Sequence, residues 1–405
     1  MGKWKTVTIN DVCQKITDGT HSTPKYTSIG IPFLSVKDIT GKSISFENTR
    51  YISIEEHNEL IKRCNPEFND ILYTKVGTTG VAKVIDVKKE FSIFVSLALL
   101  KPNKNIINSL YFEYVLNSPS VYQQAQEKTR GVANRNLVLK DIKEITFNLP
   151  IEIDEQLKIV DFLNNVISKL DKSIQLLEDN LNHSKALLLS IIDEEFKQLS
   201  KSVKSSTLPQ LVKKDKHSIK RGPFGSALKK SFFVPTGYKI YEQKNAIKND
   251  FSIGEYYINE EKFKELEAFE VKSGDIIISC SGTIGKIAIA PPEIEKGIIN
   301  QALLKISLDK NKILPEYFSL FFENFVNQGE LESKGAAIKN IVSVAELKQI
   351  PIPVPNTILE QQLFIENIVK KRDLINDYIN ETENKLNNLK ALKSSLLDQA
   401  FKGEL

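Results

Sequence analysis

Three cysteines are all that this chain of 405 residues carries, Cys13, Cys64 and Cys280, and none falls in a Cys-x-x-Cys pair or beside a histidine cluster. That spacing excludes a disulfide framework and a zinc site and leaves structural thiols of a reducing compartment. No apolar run approaches the roughly 18 residues of a membrane-spanning helix, and the opening MGKWKTVTINDVCQKITDG lacks the apolar core of a signal peptide. A cytoplasmic protein with no membrane partner is expected. The chain has no GxxxxGK[ST] phosphate loop, no PD-(D/E)xK-like carboxylate cluster and no FxGxG-type glycine loop for S-adenosylmethionine. His21, His57, His183 and His217 show no HExxH or triad-like setting. No catalytic residue, no metal ligand and no cofactor site is therefore nominated. Charge of one sign is scarce as well: 55 Lys and Arg against 51 Asp and Glu leave +4, which permits an anionic partner without demanding one. The hydrophobic fraction of 41% is that of a folded globular chain rather than a disordered one.

What is present is a duplication. DILYTKVGTTGVAKV, from Asp70, lies over DIIISCSGTIGKIAI, from Asp275, with Gly77 over Gly282 and Gly80 over Gly285, an offset of 205. Upstream, GIPFLSVKDI (Gly30 to Ile39) lies over GYKIYEQKNAI (Gly237 to Ile247). Downstream, NSLYFEYVLNS lies over LPEYFSLFFEN, and TRGVANRNLVLKDIKEITFNLP (Thr129 to Pro150) over SKGAAIKNIVSVAELKQIPIPVP (Ser333 to Pro355). Each half closes on a proline-bounded strand. The apolar runs DILYTKV, FSIFVSLALL, DIIISCS and GIINQALLKISL, broken by Gly, Pro and Asn, read as short strands with a few helices between them. The fold class is α+β, and the strand order is not legible.

After the prolines both halves turn helical, opening with EQLKIVDFL from Glu155 and QQLFIENIV from Gln361. A heptad seam runs through Leu163, Ile167, Leu170, Ile174, Leu177, Leu181, Ser184, Leu188 and Ile191. In the same phase it returns at Ile368, Arg372, Ile375, Ile379, Thr382, Leu386, Leu389, Lys393 and Leu396. Helices of about 35 residues are roughly 50 Å long, too long to be covered by one small domain, so the two seams are expected to pair with each other. The polar positions in the seams, Ser184, Arg372, Thr382 and Lys393, suit a fixed register. The polar, lysine-rich stretch from Lys197 to Lys204 reads as the linker between repeats.

Basic residues and amides recur at matched loops. Lys75 and Lys83 flank the first glycine turn and Lys286 follows the second; Arg130 and Arg135 bracket GVAN, while Lys334 and Lys339 bracket GAAI, ending in Asn136 and Asn340. Arg, Lys and Asn read base edges and grip phosphates, so the loops suggest a ligand face. The Gly-Thr-x-Gly turns suit either a phosphate cradle or a tight turn after a buried strand. The tetrapeptide Asn65-Pro66-Glu67-Phe68 is similar to the N-P-P-F loop with which amino-methyltransferases hold adenine, but the other half, around Phe269 to Val271, lacks it.

Four features together resemble the specificity subunit of type I DNA restriction-modification systems over essentially the whole chain. They are the openings DGTHSTPKYTSIGIPFLSVKDI (Asp18 to Ile39) and RGPFGSALKKSFFVPTGYKI (Arg221 to Ile240), the two Gly-Thr-x-Gly turns, the RGVANRNL and KGAAIKNI loops, and the ending SSLLDQAFKGEL. The resemblance implies two mixed α/β target-recognition domains (1–151 and 200–355, with a linker at 197–206) and two conserved helical regions (152–199 and 356–405). The helices would form an antiparallel coiled coil within an internal pseudo-twofold repeat and act as a ruler between half-sites. It implies a non-catalytic subunit that binds an asymmetric, bipartite double-stranded DNA target, with two methyltransferase subunits and motor-nuclease subunits as partners. S-adenosylmethionine, ATP and Mg are then expected on those partners and not on this chain. Candidate DNA contacts are His21, Lys25, Lys37, Lys75, Thr78, Lys83, Arg130, Asn134, Arg135 and Asn136 in the first half. Their counterparts are Arg221, Ser226, Lys229, Lys244, Thr283, Lys286, Lys334, Lys339 and Asn340 in the second. The first helix ends in IIDEEFKQL, so Phe196 matches Phe401 but the Gly-Glu-Leu ending is missing. Alternatives are a coiled-coil scaffold or decayed specificity subunit without sequence readout, and a fused methyltransferase.

Overall fold

The computed structural model describes residues 4–41, 43–132, 135–329 and 344–403. The chain forms two compact units: unit 1 is Met1–Asp179 with Glu383–Leu405, and unit 2 is Asn180–Thr382.

In unit 1, strands Cys13–Asp18, Leu97–Pro102, Ile71–Thr74 and Ala82–Val84 lie side by side in that order, all antiparallel. Ile71 and Tyr73 point into one core with Ala98 and Leu100, while Leu72 points into another with Leu97 and Leu99. Both faces of these strands are thus covered, which is why they read as unbroken apolar runs instead of alternating ones. A second sheet orders Tyr26–Thr27, Arg50–Ile52, Ile31–Leu34 and Ser92–Ile93, the last pair parallel. Trp4–Thr8 pairs with Thr146–Pro150 as a ribbon.

Unit 2 repeats the plan. Ile219–Arg221, Leu303–Ile306, Ile276–Ser279 and Ile287–Ile289 form the antiparallel sheet. Phe233–Val234, Tyr257–Ile258, Tyr238–Tyr241, Gly297–Ile299 and Glu270–Val271 form the second sheet, where Tyr238–Tyr241 and Gly297–Ile299 are the parallel pair. Ser205–Ser206 and Ile352–Pro353 make the ribbon.

Two long helices complete the units: α1, Ile153–Ser202, and α2, Ile358–Lys402. Unit 1 contains the first part of α1 and the last part of α2, which run antiparallel, since Asp171 pairs with Lys393 and Glu178 with Lys390. Unit 2 contains the end of α1 and the start of α2, where Lys371 pairs with Glu195 and the Phe196 and Phe364 rings lie 4.9 Å apart. Every seam position expected from the heptads is buried or half-buried. Polar Ser184 and Thr382 return their hydroxyls to Asn180 O and Tyr378 O one turn back, both at 2.8 Å, so neither needs a partner across the seam.

One expectation is corrected. The lysine-rich stretch placed in a linker, 197–206, is mostly helix, because Leu199 continues the apolar face into the core of unit 2 and Lys197 pairs with Asp193 one turn back. The helix openings match at Gln156 and Gln361, at the same offset of 205 as the seams. Gln156 is fully buried, accepts from Asn108 N at 2.8 Å and donates to Ile106 O and Pro150 O. Gln361 accepts from Leu314 N at 2.8 Å and donates to Lys312 O. Each glutamine ties its helix to the loop before a helix of its own unit.

Candidate DNA interface

In each unit the sheet topology sends the opening and the glycine turn to one end. In unit 1, Asp18 lies opposite Ala98 and Thr74 opposite Leu97, so the DGTH opening and the GTTG turn leave the sheet on the same edge. There the turn meets the RGVANRNL loop: Val76 bridges to Asn136, Gly77 N donates to Arg135 O at 2.9 Å, and Leu137 N donates to Lys75 O at 2.8 Å. Thr74 shapes the turn, its hydroxyl accepting from Val81 N and its carbonyl from Gly80 N. Gly77 and Gly80 have φ of 79° and 87°, which only glycine adopts without strain. Thr78 is exposed at the tip. Arg130 is paired with Asp141 at 3.0 Å yet largely exposed, and Arg135 donates to Gln126. Asn136 carries a buried side-chain oxygen with no partner among the described residues.

Unit 2 builds the same turn with Ser279 in place of Thr74: Lys286 N donates to Ser279 Oγ at 2.9 Å and Gly285 N to Ser279 O at 3.0 Å. Thr283 and Lys286 are exposed, and the Gln243 amide donates to Thr283 O. The turn that suited two readings is thus a tight reversal after a buried strand, with its threonine presented outward. Arg221 ends its strand at the same sheet edge, opposite Leu304. Ser226 and Lys229 follow it, both exposed. Lys334, Lys339 and Asn340, like Asn134 in the first half, lie outside the described residues.

Not every nominated cation faces outward. Lys75 is buried, its ammonium 3.2 Å from Asp18, which Arg63 and His21 also contact. It neutralises a buried carboxylate and holds the opening against the turn. Lys83 sits within its strand and pairs with Glu113 at 3.1 Å. Lys244 pairs with Glu242 at 2.7 Å, and Lys37 donates to Asn48 O. Lys25 is exposed, its backbone N–H held by Glu56. Sequence reasoning passed over Asp18 as the hub of this cluster; the signal was an acidic residue in one opening where the other has Arg221. In the tetrapeptide from Asn65, Glu67 pairs with Lys101, which holds its carboxyl below the usual range, and Lys101 bridges on to Asp70. The segment is a structural turn. Burial pushes the Cys13 and Cys64 thiols up to about 12 and that of Cys280 to about 11, so all three are inert at neutral pH. No group of three or more metal-ligating side chains occurs among the described residues, nor a helix long and apolar enough to cross a membrane.

The family model for the type I restriction modification DNA specificity domain matches residues 1–182 and 225–388. This chain belongs to that family. As a specificity subunit it recognises DNA sequence and is itself non-catalytic. It is 22% identical over 414 residues to a Methanocaldococcus jannaschii protein described as a type I restriction enzyme MjaX specificity subunit, covering 99% of this chain and 93% of the relative. The Escherichia coli type I restriction enzyme EcoBI specificity subunit is 28% identical over 168 residues, 42% of this chain and 35% of that one. Among solved structures, the fold matches a chain from work on complex assembly and conformational transition of the type I R-M system. The TM-score is 0.72 at 13% identity, covering 100% of this chain and 98% of that one. The HsdS subunit from Thermoanaerobacter tengcongensis matches with a TM-score of 0.55 at 14% identity, covering 99% and 97%.

Proposed function

We propose that each unit of this specificity subunit reads one half of a split, asymmetric double-stranded DNA target, and that partner subunits carry out the chemistry. The observation that carries this reading is the duplicated sheet edge, which presents the same turn and opening twice with unlike side chains. Two copies of one recognition frame with different tips suit two different half-sites. The partners are two methyltransferase subunits, which bind S-adenosylmethionine, and motor-nuclease subunits, which use ATP and Mg. Exposed leucines on α1 and α2, among them Leu176 at 55% and Leu374 at 63%, support docking of such partners along the helices. On this reading DNA contact falls to Thr78, Arg130, Arg135 and Asn136 in one unit and to Arg221, Thr283 and Lys286 in the other. Weak net charge suits a subunit that shares the phosphate contacts with its partners.

The test is to purify the chain with its methyltransferase partner and map methylated adenines in DNA treated with the complex. One bipartite motif with unlike halves is expected. Identical halves overturn the asymmetry, and uniform methylation or affinity for random DNA favours a scaffold without readout.

A further inference from the structure

The two openings superpose on a glycine. Gly19 N donates to Leu97 O at 3.2 Å and Gly222 N to Leu303 O at 2.9 Å, the first residue of the matching strand in each unit. A Cβ on either would come within 2.1 Å of Ile93 O or 1.8 Å of Asn300 O, so both must be glycine. Counting from them, Asp18 stands where unit 2 has Arg221, and His21 where it has Phe224. The neighbour on the next strand changes too: Lys75 N donates to Ser96 O and Cys280 N to Ala302 O, which matches Lys75 with Cys280.

The electrostatic outcome differs between the units. Asp18 is neutralised by Lys75 and Arg63, and His21 Nε2 lies 3.2 Å from it. Among the described residues Arg221 has no ion pair and its buried Nε has no hydrogen-bond partner. Cys280, at the position of Lys75, carries a neutral thiol that donates to Ile278 O and supplies no countercharge. Beside it the Phe224 ring is 64% exposed, with the guanidinium 5.3 Å from the ring centroid.

We infer that Arg221 and Phe224 together are the specificity-determining pair of unit 2, reading the acceptor edge of a guanine. The inference deepens the proposed function and rests on it. The buried Nε and the Phe224 ring beneath the fork hold the guanidinium plane of this half-buried arginine in place, and guanine O6 and N7 accept a fixed fork bidentately. A phosphate would be held as well by an ammonium. The exposed ring adds an apolar face for the neighbouring base.

The experiment maps methylated motifs made by the complex with its methyltransferase partner, for wild type, Arg221→Lys and Phe224→Ala. Arg221→Lys keeps the charge and removes the fork. It is expected to relax one guanine position in one half-site on the order of tenfold or more in relative methylation, with the other half-site unchanged. Phe224→Ala, which truncates an exposed ring and leaves the core intact, is expected to relax the same half-site by a smaller factor. A uniform fall in methylation with the motif intact in Arg221→Lys marks a phosphate contact and overturns the inference. So does an unchanged motif in both variants, or loosening in both half-sites. A wild-type complex that yields no motif at all sinks the underlying functional reading instead.

Discussion

The two units anchor their helix ends alike and expose unlike tips. Phe401 packs on Tyr111 in unit 1, their ring centroids 5.4 Å apart, and Phe196 packs on Tyr317 in unit 2 at 5.8 Å. Tyr111 in turn donates to Asn148 O and Tyr317 to Pro353 O, each on the ribbon strand that closes its half. Gln156 and Gln361 make matching bonds. Against that sameness, the residue before the shared glycine is Asp18 in one unit and Arg221 in the other. The aromatic and glutamine anchors recur in both halves, whereas the openings and the residues beside them, Asp18 and Lys75 in one unit and Arg221 and Cys280 in the other, differ even where they are buried. The contrast separates a frame from its readers.

Three pairs of substitutions test how alike the frames are. The largest effect is expected from Phe196→Ala, about 4 kcal/mol, because that ring also meets Phe321 and Phe364. Phe401→Ala should cost about 3 kcal/mol. Hydrogen exchange read separately in each unit should show lost protection in unit 2 for the first variant and in unit 1 for the second. Equal losses in both units from either change would break the comparison. Next, Gln156→Ala strands one N–H and two carbonyls and Gln361→Ala one of each, so about 3 and about 2 kcal/mol are expected in denaturant unfolding. A larger cost for Gln361 would mean that the two anchors are not equivalent. The smallest effects belong to the partly exposed helix pairs: Lys393→Ala in unit 1 and Lys371→Ala in unit 2 should each cost below about 1 kcal/mol and lose that difference at high salt.

The frame was largely legible in the sequence, for physical reasons. A heptad repeats one residue class at a fixed period, so Leu163, Ile167 and Ile368 announced the seam, whereas Gly77 to Gly80 suited a phosphate cradle as well as the tight reversal it forms. Phe196 against Phe401 was visible as a matched position, although not what it touches. Strand order was hidden because pairing between Cys13–Asp18 and Leu97–Pro102 depends on contacts distant in the chain. Gln156 was hidden because a buried glutamine looks like any polar residue at a helix start until its partners are known. The basic candidates divided on the same ground: Lys75 and Arg130 are alike in sequence, but only the fold shows that one is buried against Asp18 and the other stands out from the surface. The charge swap between Asp18 and Arg221 needed the superposed glycines, because the offset there is not 205.

One contact reaches across the numbering. Trp4 lies against Gly403, where a Cβ would sit 3.0 Å from the indole, and Phe401 is seated in the same unit as the first strand. Unit 1 therefore closes its core only with residues from both ends of the numbering, Val7 and Ile9 sharing it with Ala400 and Phe401. During synthesis unit 2 has all of its residues in hand before unit 1 does.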